Sequence, residues 1–497
     1  MKKMTLKMRL LGGLTIVSML FAASCAQGVD DETFSAGVSG VQLESPAADG
    51  FTYTFVTDAS GVEQVKVSWP TVMGAGGYQC SVWNVNDPAN PEVLVDNQKI
   101  DGAAVYFPLA EDSNYKISVQ TLGNEKLNNA GAAVATEYSM NTMIEGIPVP
   151  ATEDLGAFIT KYIADNAAKL AEERAKDPNF EIAFDLEAGA TYAMTTTADC
   201  AMQATRVRGD RQNKPTVILT NNAHFETGGG LKLKFLNIDA AGIDQSYSGV
   251  IVMHQNPDPE TVKAGKCWKC DKPVRMEGCW VANLPRSFFT HGQASWALNE
   301  LRITDCIIQV NCANNGAHKS FIYPMNHTKA GSGGEDGSIL NIYLSNSTIY
   351  NIYDPAAMSD SAYFIRFGSQ KQFSSLFGTT NGVFNIQNCT LNRMVPNKDF
   401  GNRVGYEGSM TFTDNVFYDT RLIQKVLGRG GAKSTSNNIM WCPTKGVDGT
   451  DKQNYVIEQD PGFTAENLNK PLDFSQPNGG VNFKPAAGIT AGDPRWL

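Results

Sequence analysis

One short pattern recurs down the C-terminal two-thirds of this chain and restricts its fold more than any other feature. Apolar residues alternate with polar ones, followed by Asn or Asp, a small residue and a second apolar pair. The copies span 301–310, 342–352, 384–394, 410–418 and, in degraded form, 434–441. Aligned on the Asn/Asp position they give Asp305, Asn346, Asn388, Asp414 and Asn437, at steps of 41, 42, 26 and 23 residues. A strand, a one-residue corner and a second strand, repeated at such intervals, predict a stacked solenoid. Asn and Asp suit the corner because they tolerate the left-handed backbone of a sharp bend.

The shorter steps match a bare turn of a parallel β-helix, and the longer ones leave room for loops of roughly 15 to 20 residues. Segments 233–239 and 275–282 fit as earlier copies, the second with Gly278 at the corner. A companion strand recurs at 248–254, 320–325 and 361–367, where Pro324 belongs near a rung end because it cannot donate to a ladder. The residue after each corner is Cys279, Cys306, Ser347, Cys389 or Asn415, which predicts a column of small buried side chains. A metal or redox role for these cysteines would need His or carboxylate partners that the pattern does not supply. Open ends of such a coil must be covered. Leu155, Phe158, Ile159, Tyr162, Ile163 and Leu170 follow helical spacing and predict a capping helix over 153–178. Trp496 is the expected plug for the last rung, closing a coil over 179–497.

The chain opens with Lys2, Lys3, Lys7 and Arg9 before a 14-residue apolar run, 10–23. This reads as a signal peptide, 1–24, too short to span a bilayer comfortably. Small residues lead into Cys25, an arrangement that resembles a bacterial lipobox, with Ala22 where Leu is usual. The resemblance implies a lipidated Cys25, a tether over 25–40 and an outer-membrane, cell-surface location. Asp30, Asp31 and Glu32 resemble an acidic surface-export tag. Without residues 1–24, 37 basic residues face 51 acidic ones, a net charge of about −14. That balance argues against nucleic acid as a partner. It also means that any acidic polysaccharide must be bound locally or through a cation. Nine cysteines remain after Cys25, an odd number, so most are expected to be free.

Between 41 and 145 short strands alternate: Val65, Val67 and Trp69; Tyr78, Cys80 and Val82; Tyr115, Ile117 and Val119. These predict a β-sandwich. The early Trp69 strand and the later Tyr115 strand resemble a fibronectin type III module. Cys80 is its only cysteine, so an inter-sheet disulfide is excluded. Residues 146–152, rich in proline, are expected to be a linker.

The opening at 183–194, the 207–219 segment, the Asn-Cys-Thr corners and the C-terminal 492–497 together resemble the pectate-lyase-like right-handed parallel β-helix superfamily. They also resemble surface lipoproteins of polysaccharide-utilisation type that carry such a helix. The resemblance implies an all-β fold, a polysaccharide partner, possible Ca²⁺ and, in lyases, an Arg base. Intact lyase signatures are absent. Arg366, alternating with Tyr363, Ile365 and Phe367, and Arg393, in a loose Arg-x-x-Pro echo, are the candidate catalytic residues. Lys263, Lys266, Lys269, Lys272 and Arg275 fall at every third position around Trp268, beside Cys267 and Cys270. An aromatic ring among cations suits stacking on a sugar beside a carboxylate. The structural alternative is a hairpin insertion closed by a disulfide. His254, His291, His318 and His327 lie in the inserted loops or rung ends, have no ligand-like spacing and read as polar residues without a metal role. The expected function is binding of a polysaccharide, such as a polyuronide, at the cell surface; the alternatives are a calcium-dependent lyase and a structural or adhesive protein. If Cys25 carries the anchor, Cys25→Ala releases the protein from the membrane fraction and abolishes its labelling by radioactive palmitate.

Overall fold

The structure is a computed structural model. It describes residues 38–57, 63–243, 248–259, 261–265, 267–285, 287–313, 320–324, 337–357, 362–368, 373–405, 407–429 and 431–497. Two compact units divide the chain, Met1–Ile144 and Glu145–Leu497. Among the described residues no helix is long and apolar enough to cross a membrane.

In the first unit the alternating segments become antiparallel strands. Thr52–Thr57, Glu63–Ser68 and Ala104–Pro108 form one sheet. Glu92–Ile100, Tyr78–Asn84, Asn114–Thr121 and Thr136–Asn141 form the other, in that order. Val65, Val67, Cys80, Val82, Ile117 and Val119 share one buried core, because every second residue of a strand faces it. Trp69 meets Tyr78 edge-on at 5.5 Å. The Tyr115 hydroxyl accepts from Ala110 N at 2.9 Å and bonds Ala110 O at 3.2 Å.

The second unit is a parallel β-helix. Ile182–Leu186, Thr205–Arg208, Leu231–Lys234, Val274–Glu277, Trp296–Thr304, Ser338–Asn351, Val383–Val395, Ser409–Thr413 and Ala432–Ser436 stack in register as successive rungs. Gly146–Val149 pairs in parallel with Ile182–Leu186. The segment expected to be a linker therefore supplies the first rung: Ile147 and Val149 alternate with Gly146 and Pro148, and the proline sits in an end strand with one neighbour.

The corner residues hold the predicted conformation. Phe235, Gly278, Asp305, Asn346, Asn388, Asp414 and Asn437 fall one above another, all with φ between 48° and 61°. Phe235, a residue with no side-chain aptitude for that region, is accommodated by its neighbour. A Cβ on Gly278 would lie 2.6 Å from the Phe235 ring, so only glycine leaves the ring its place. The next column, Cys279, Cys306, Ser347, Cys389, Asn415 and Asn438, is buried throughout. Its members bond the adjoining rung: Cys306 N donates to Ser347 Oγ at 3.0 Å and Cys389 N to Asn415 Oδ1 at 2.9 Å. All nine described cysteines are buried and outside any disulfide. Burial pushes the Cys279 and Cys389 thiols up to about 12, so they remain protonated and inert.

The cap is two helices, Leu155–Asp165 and Ala167–Lys176, broken at Asn166, where a single helix was expected. Asp154 caps the first by accepting from Ala157 N at 2.9 Å, and also accepts from Thr195 N at 2.6 Å. Leu155, Ile159, Ile163 and Leu170 are buried, and Phe158 and Tyr162 meet Phe184 edge-on.

Trp496 does not plug the last rung. The C-terminal segment turns back along the outside of the coil, beside the corner column. Asn437 Nδ2 donates to Thr490 Oγ1, Gly492 N to Asp414 O, Asp493 N to Thr390 Oγ1 and Trp496 Nε1 to Thr348 Oγ1, while Arg495 pairs with Asp305. Leu468, Leu472, Val481 and Phe483 cover Ala282, Ile307 and Tyr350 on the same outer face. That face carries apolar residues at outward positions, which explains why the segment lies there.

A second outer face is occupied by charge. Arg206, Lys232, Arg275 and Arg302 stack in register. Glu181 bridges the first two at 2.8 and 2.9 Å, and Glu300 the last two at 2.7 and 3.0 Å. Like charges on neighbouring rungs are destabilising unless shared carboxylates relieve them.

Gly278→Ala is expected to cost more than about 1 kcal/mol in chemical denaturation, from the left-handed backbone and the Phe235 clash together. Asn346→Gly should be close to neutral. Asp451 supplies a pH prediction. It is buried, Oδ1 accepts from Gln424 N at 2.8 Å, and Oδ2 has no hydrogen-bond partner among the described residues. Burial raises its carboxyl to about 6. The folded state therefore binds this proton more tightly than the unfolded one. Its stabilising contribution is full below the unfolded value near 4 and is lost as pH rises to about 6. Asp451→Asn should flatten that part of the stability-versus-pH curve, measured by thermal unfolding between pH 4 and 7.

Candidate functional site

The third outer face is a seven-stranded parallel sheet built from the companion strands. Its order is Ala198–Asp199, Phe225–Thr227, Gly249–Met253, Ser287–Thr290, Ile322–Tyr323, Ile365–Arg366 and Gly401–Asn402. Phe225, Ile251, Phe289, Ile322 and Ile365 form one column facing the core. Beside them Phe288, Phe321, Phe364 and Phe400 stack at 5.3, 5.2 and 4.7 Å. Alternation then forces their neighbours outward: Asp199, Glu226, Val252, Thr290, Tyr323, Arg366 and Asn402. Pro324 follows directly on the Ile322–Tyr323 strand, at a rung end.

At the N-terminal end of this column three titratable groups meet. Asp199 and Glu226 are aligned on adjacent strands. His254, one residue beyond the third strand, continues the ladder by donating its N–H to Thr227 O at 2.8 Å. Its Nδ1 lies 2.8 Å from Glu226 Oε1 and 3.3 Å from Asp199 Oδ1. Gln255 N donates to Glu226 Oε1 at 2.8 Å, and His224 Nε2 lies 3.4 Å from Glu226 Oε2. His224 Nδ1, 2.8 Å from Asn222 O, must be the donor there, since a carbonyl only accepts. The buried Trp296 indole donates to His254 O at 3.0 Å and fixes the backbone behind the ring.

Burial opposes the charge on Glu226, but attraction to His224 and His254 and the Gln255 N–H outweigh it and hold the carboxyl down at about 2. Burial likewise opposes the charge on His254, and the two carboxylates outweigh it, raising the imidazole to about 9. Beside this cluster opens a cleft of about 320 Å³, lined by Thr197, Asn222, Ser248, Gln255 and Gln293 among others. Gln293 N donates to Gln255 Oε1 at 2.6 Å, which orients that amide over the opening.

The residues singled out in the sequence lie elsewhere. Arg366 belongs to the outward column, with Ile365 and Phe367 buried on either side and its guanidinium 5.7 Å from the Tyr363 ring. Four strand steps separate it from Glu226, roughly 19 Å. Arg393, with a left-handed backbone, is on another face, where Nη1 donates to Leu468 O at 3.1 Å and Asn469 Oδ1 at 2.6 Å. It ties down the C-terminal segment, and burial lowers its pKa.

The basic series starts on a hairpin of Lys263–Ala264 and Cys267–Cys270, whose second strand adds to the edge of Trp296–Thr304. No disulfide closes it: Cys267 packs with Ala297, Leu340, Phe373 and Leu376, and Cys270 faces the coil interior. Lys263 sits 4.6 Å over the Trp268 ring, Lys269 pairs with Asp271 at 2.8 Å, Lys272 bonds Asn179 at 2.6 Å and Arg275 pairs with Glu300. Cys25, Lys266, His318 and His327 lie outside the described residues.

Sequence reading missed Asp199, Glu226 and His254. His254 lies at a rung end, as expected, but is engaged by two carboxylates where an uninvolved polar residue was expected, and His291 is buried. The available signal was the spacing: 27 and 28 residues separate the three, one turn each. This is the one group of three metal-capable residues among those described. It does not fit Ca²⁺, which takes six to eight oxygens and not an imidazole at the centre of the donor set.

Residues 1–189 match a family described as a domain of unknown function (DUF4992), and residues 190–352 match a second domain of unknown function (DUF4957). The border between the two falls inside the β-helix. No curated protein matches. Among solved structures, a pectate lyase from Pectobacterium carotovorum matches with 11% identity over 79% of this chain and 86% of that one, with a TM-score of 0.13.

Proposed function

We propose that this chain is a lipid-anchored protein of the outer-membrane surface that binds polysaccharide in a polar cleft on one face of a right-handed β-helix. The first unit acts in this reading as a fibronectin type III-like spacer, supported by the Tyr115 hydroxyl bonded to the Ala110 backbone. The observation that carries the binding reading is the polar cleft on the seven-stranded sheet. One other outer face is covered by the C-terminal segment and the next is filled by paired charges, whereas here amides, hydroxyls and a carboxylate converge on an opening of about 320 Å³. Sugar hydroxyls both donate and accept, and fixed Asn, Gln and carboxylate groups satisfy both roles.

The geometry favours binding over elimination. A base must lie within hydrogen-bond reach of the proton it removes. Arg366 is roughly 19 Å from the acidic pair, so the two do not act on one sugar ring. The carboxylates also repel a uronate directly, and such a chain would have to be met through a cation.

Native electrophoresis through gels containing neutral and uronate polysaccharides tests this. Retardation by at least one polymer is expected, weakened about tenfold or more by Asn222→Ala combined with Gln293→Ala, a loss of roughly two hydrogen bonds. Retardation lost only in Trp268→Ala with Lys263→Ala would move the site to the hairpin. Unsaturated product absorbing near 230 nm would replace binding by lyase activity, and no retardation by any polymer would reject the reading.

A further inference from the structure

The Asp199, Glu226 and His254 donors lie close enough together to share a single ion. One ligand atom from each lies within 4.8 Å of the other two. The nitrogen-to-oxygen separations are 2.8 and 3.3 Å. Bonds of about 2.1 Å put adjacent donors about 3.0 Å apart in an octahedron and about 3.4 Å apart in a tetrahedron. His254 Nδ1 is itself fully buried, yet neither close contact has the angle of a hydrogen bond. An imidazole nitrogen held between two carboxylates can exchange its proton for a cation shared by the same three donors.

We propose that Asp199, Glu226 and His254 form a binding site for a transition-metal dication of the Zn²⁺ or Mn²⁺ type. The mixed nitrogen and carboxylate donors select this class over Mg²⁺ and Ca²⁺. Surrounding groups fix the ligands. Gln255 N–H holds Glu226 Oε1, and the Trp296 indole holds the His254 backbone carbonyl. Such support around a metal ligand typically governs affinity. The ligands come from three consecutive rungs, so the rigid spacing of the sheet presets their separation. Asp199 is 39% exposed at its side chain, which gives the ion an entrance. Glu226 and His254, at 12% each, form the closed wall. Glu226 also lines the cleft, but the metal assignment rests on the donor distances and not on polysaccharide binding.

The test uses the whole chain, stripped with a chelator and titrated with Zn²⁺ or Mn²⁺ alone. The expected result is one bound equivalent and a raised thermal midpoint, since an ion that binds only the folded state stabilises it. Asp199→Asn, Glu226→Gln and His254→Ala should each lose that equivalent. In the unsubstituted protein, pulsed EPR of bound Mn²⁺ should report coupling to one imidazole nitrogen, a readout that does not depend on any variant folding. Absence of binding, binding that survives all three substitutions, or Mn²⁺ bound without nitrogen coupling would overturn the assignment. Saturation by Ca²⁺ in preference to both ions would overturn it as well. Gel retardation by polysaccharide is measured separately on the stripped protein, so failure of one reading leaves the other open to its own result.

Discussion

A parallel coil of this kind depends on every turn bending at the same place. The left-handed column from Phe235 to Asn437 provides that place. Each corner costs a non-glycine residue about 1 kcal/mol or more, and Asn or Asp at most positions lowers that cost. Because the corners coincide, the strands before and after them stay in register, and one face of every strand meets the core. A slip of one residue in any turn would send its apolar side chains outward. Internal columns such as Phe288, Phe321, Phe364 and Phe400 follow from that register.

Local features of the fold were legible in the sequence because they repeat locally. Asp305, Asn346, Asn388 and Asp414 advertise their role through the residues around them, and so do the capping stripe and the Val65–Trp69 alternation. Gly146–Val149 was misread because proline and glycine suggest a linker, and pairing with Ile182–Leu186 is not encoded within the segment. Trp496 was placed at the wrong end of its travel for the same reason: its partner, Thr348, is about 150 residues away.

The candidate site was less legible. Asp199, Glu226 and His254 share no motif, and each alone looks like a surface residue. They meet because successive turns have nearly equal length there, so a chemical constellation is written in the period and not in a run of letters. The basic series around Trp268 illustrates the opposite case. Its periodic charges look like a ligand site, yet Asp271, Asn179 and Glu300 already engage Lys269, Lys272 and Arg275. Periodic charge on a β-helix can thus be a device for spacing rungs.

The returning C-terminal segment changes how such a coil comes apart. A solenoid held only by contacts between adjoining turns loses its end turns first, one after another. Here Thr490, Gly492, Asp493, Arg495 and Trp496 reach successive rungs from Asn437 back to Asp305 and Thr348. The final turns cannot fray while that strap stays fastened, and releasing it uncovers several turns at once. The second half of the β-helix should therefore melt as one cooperative block, with its weakest end in the middle of the coil's length.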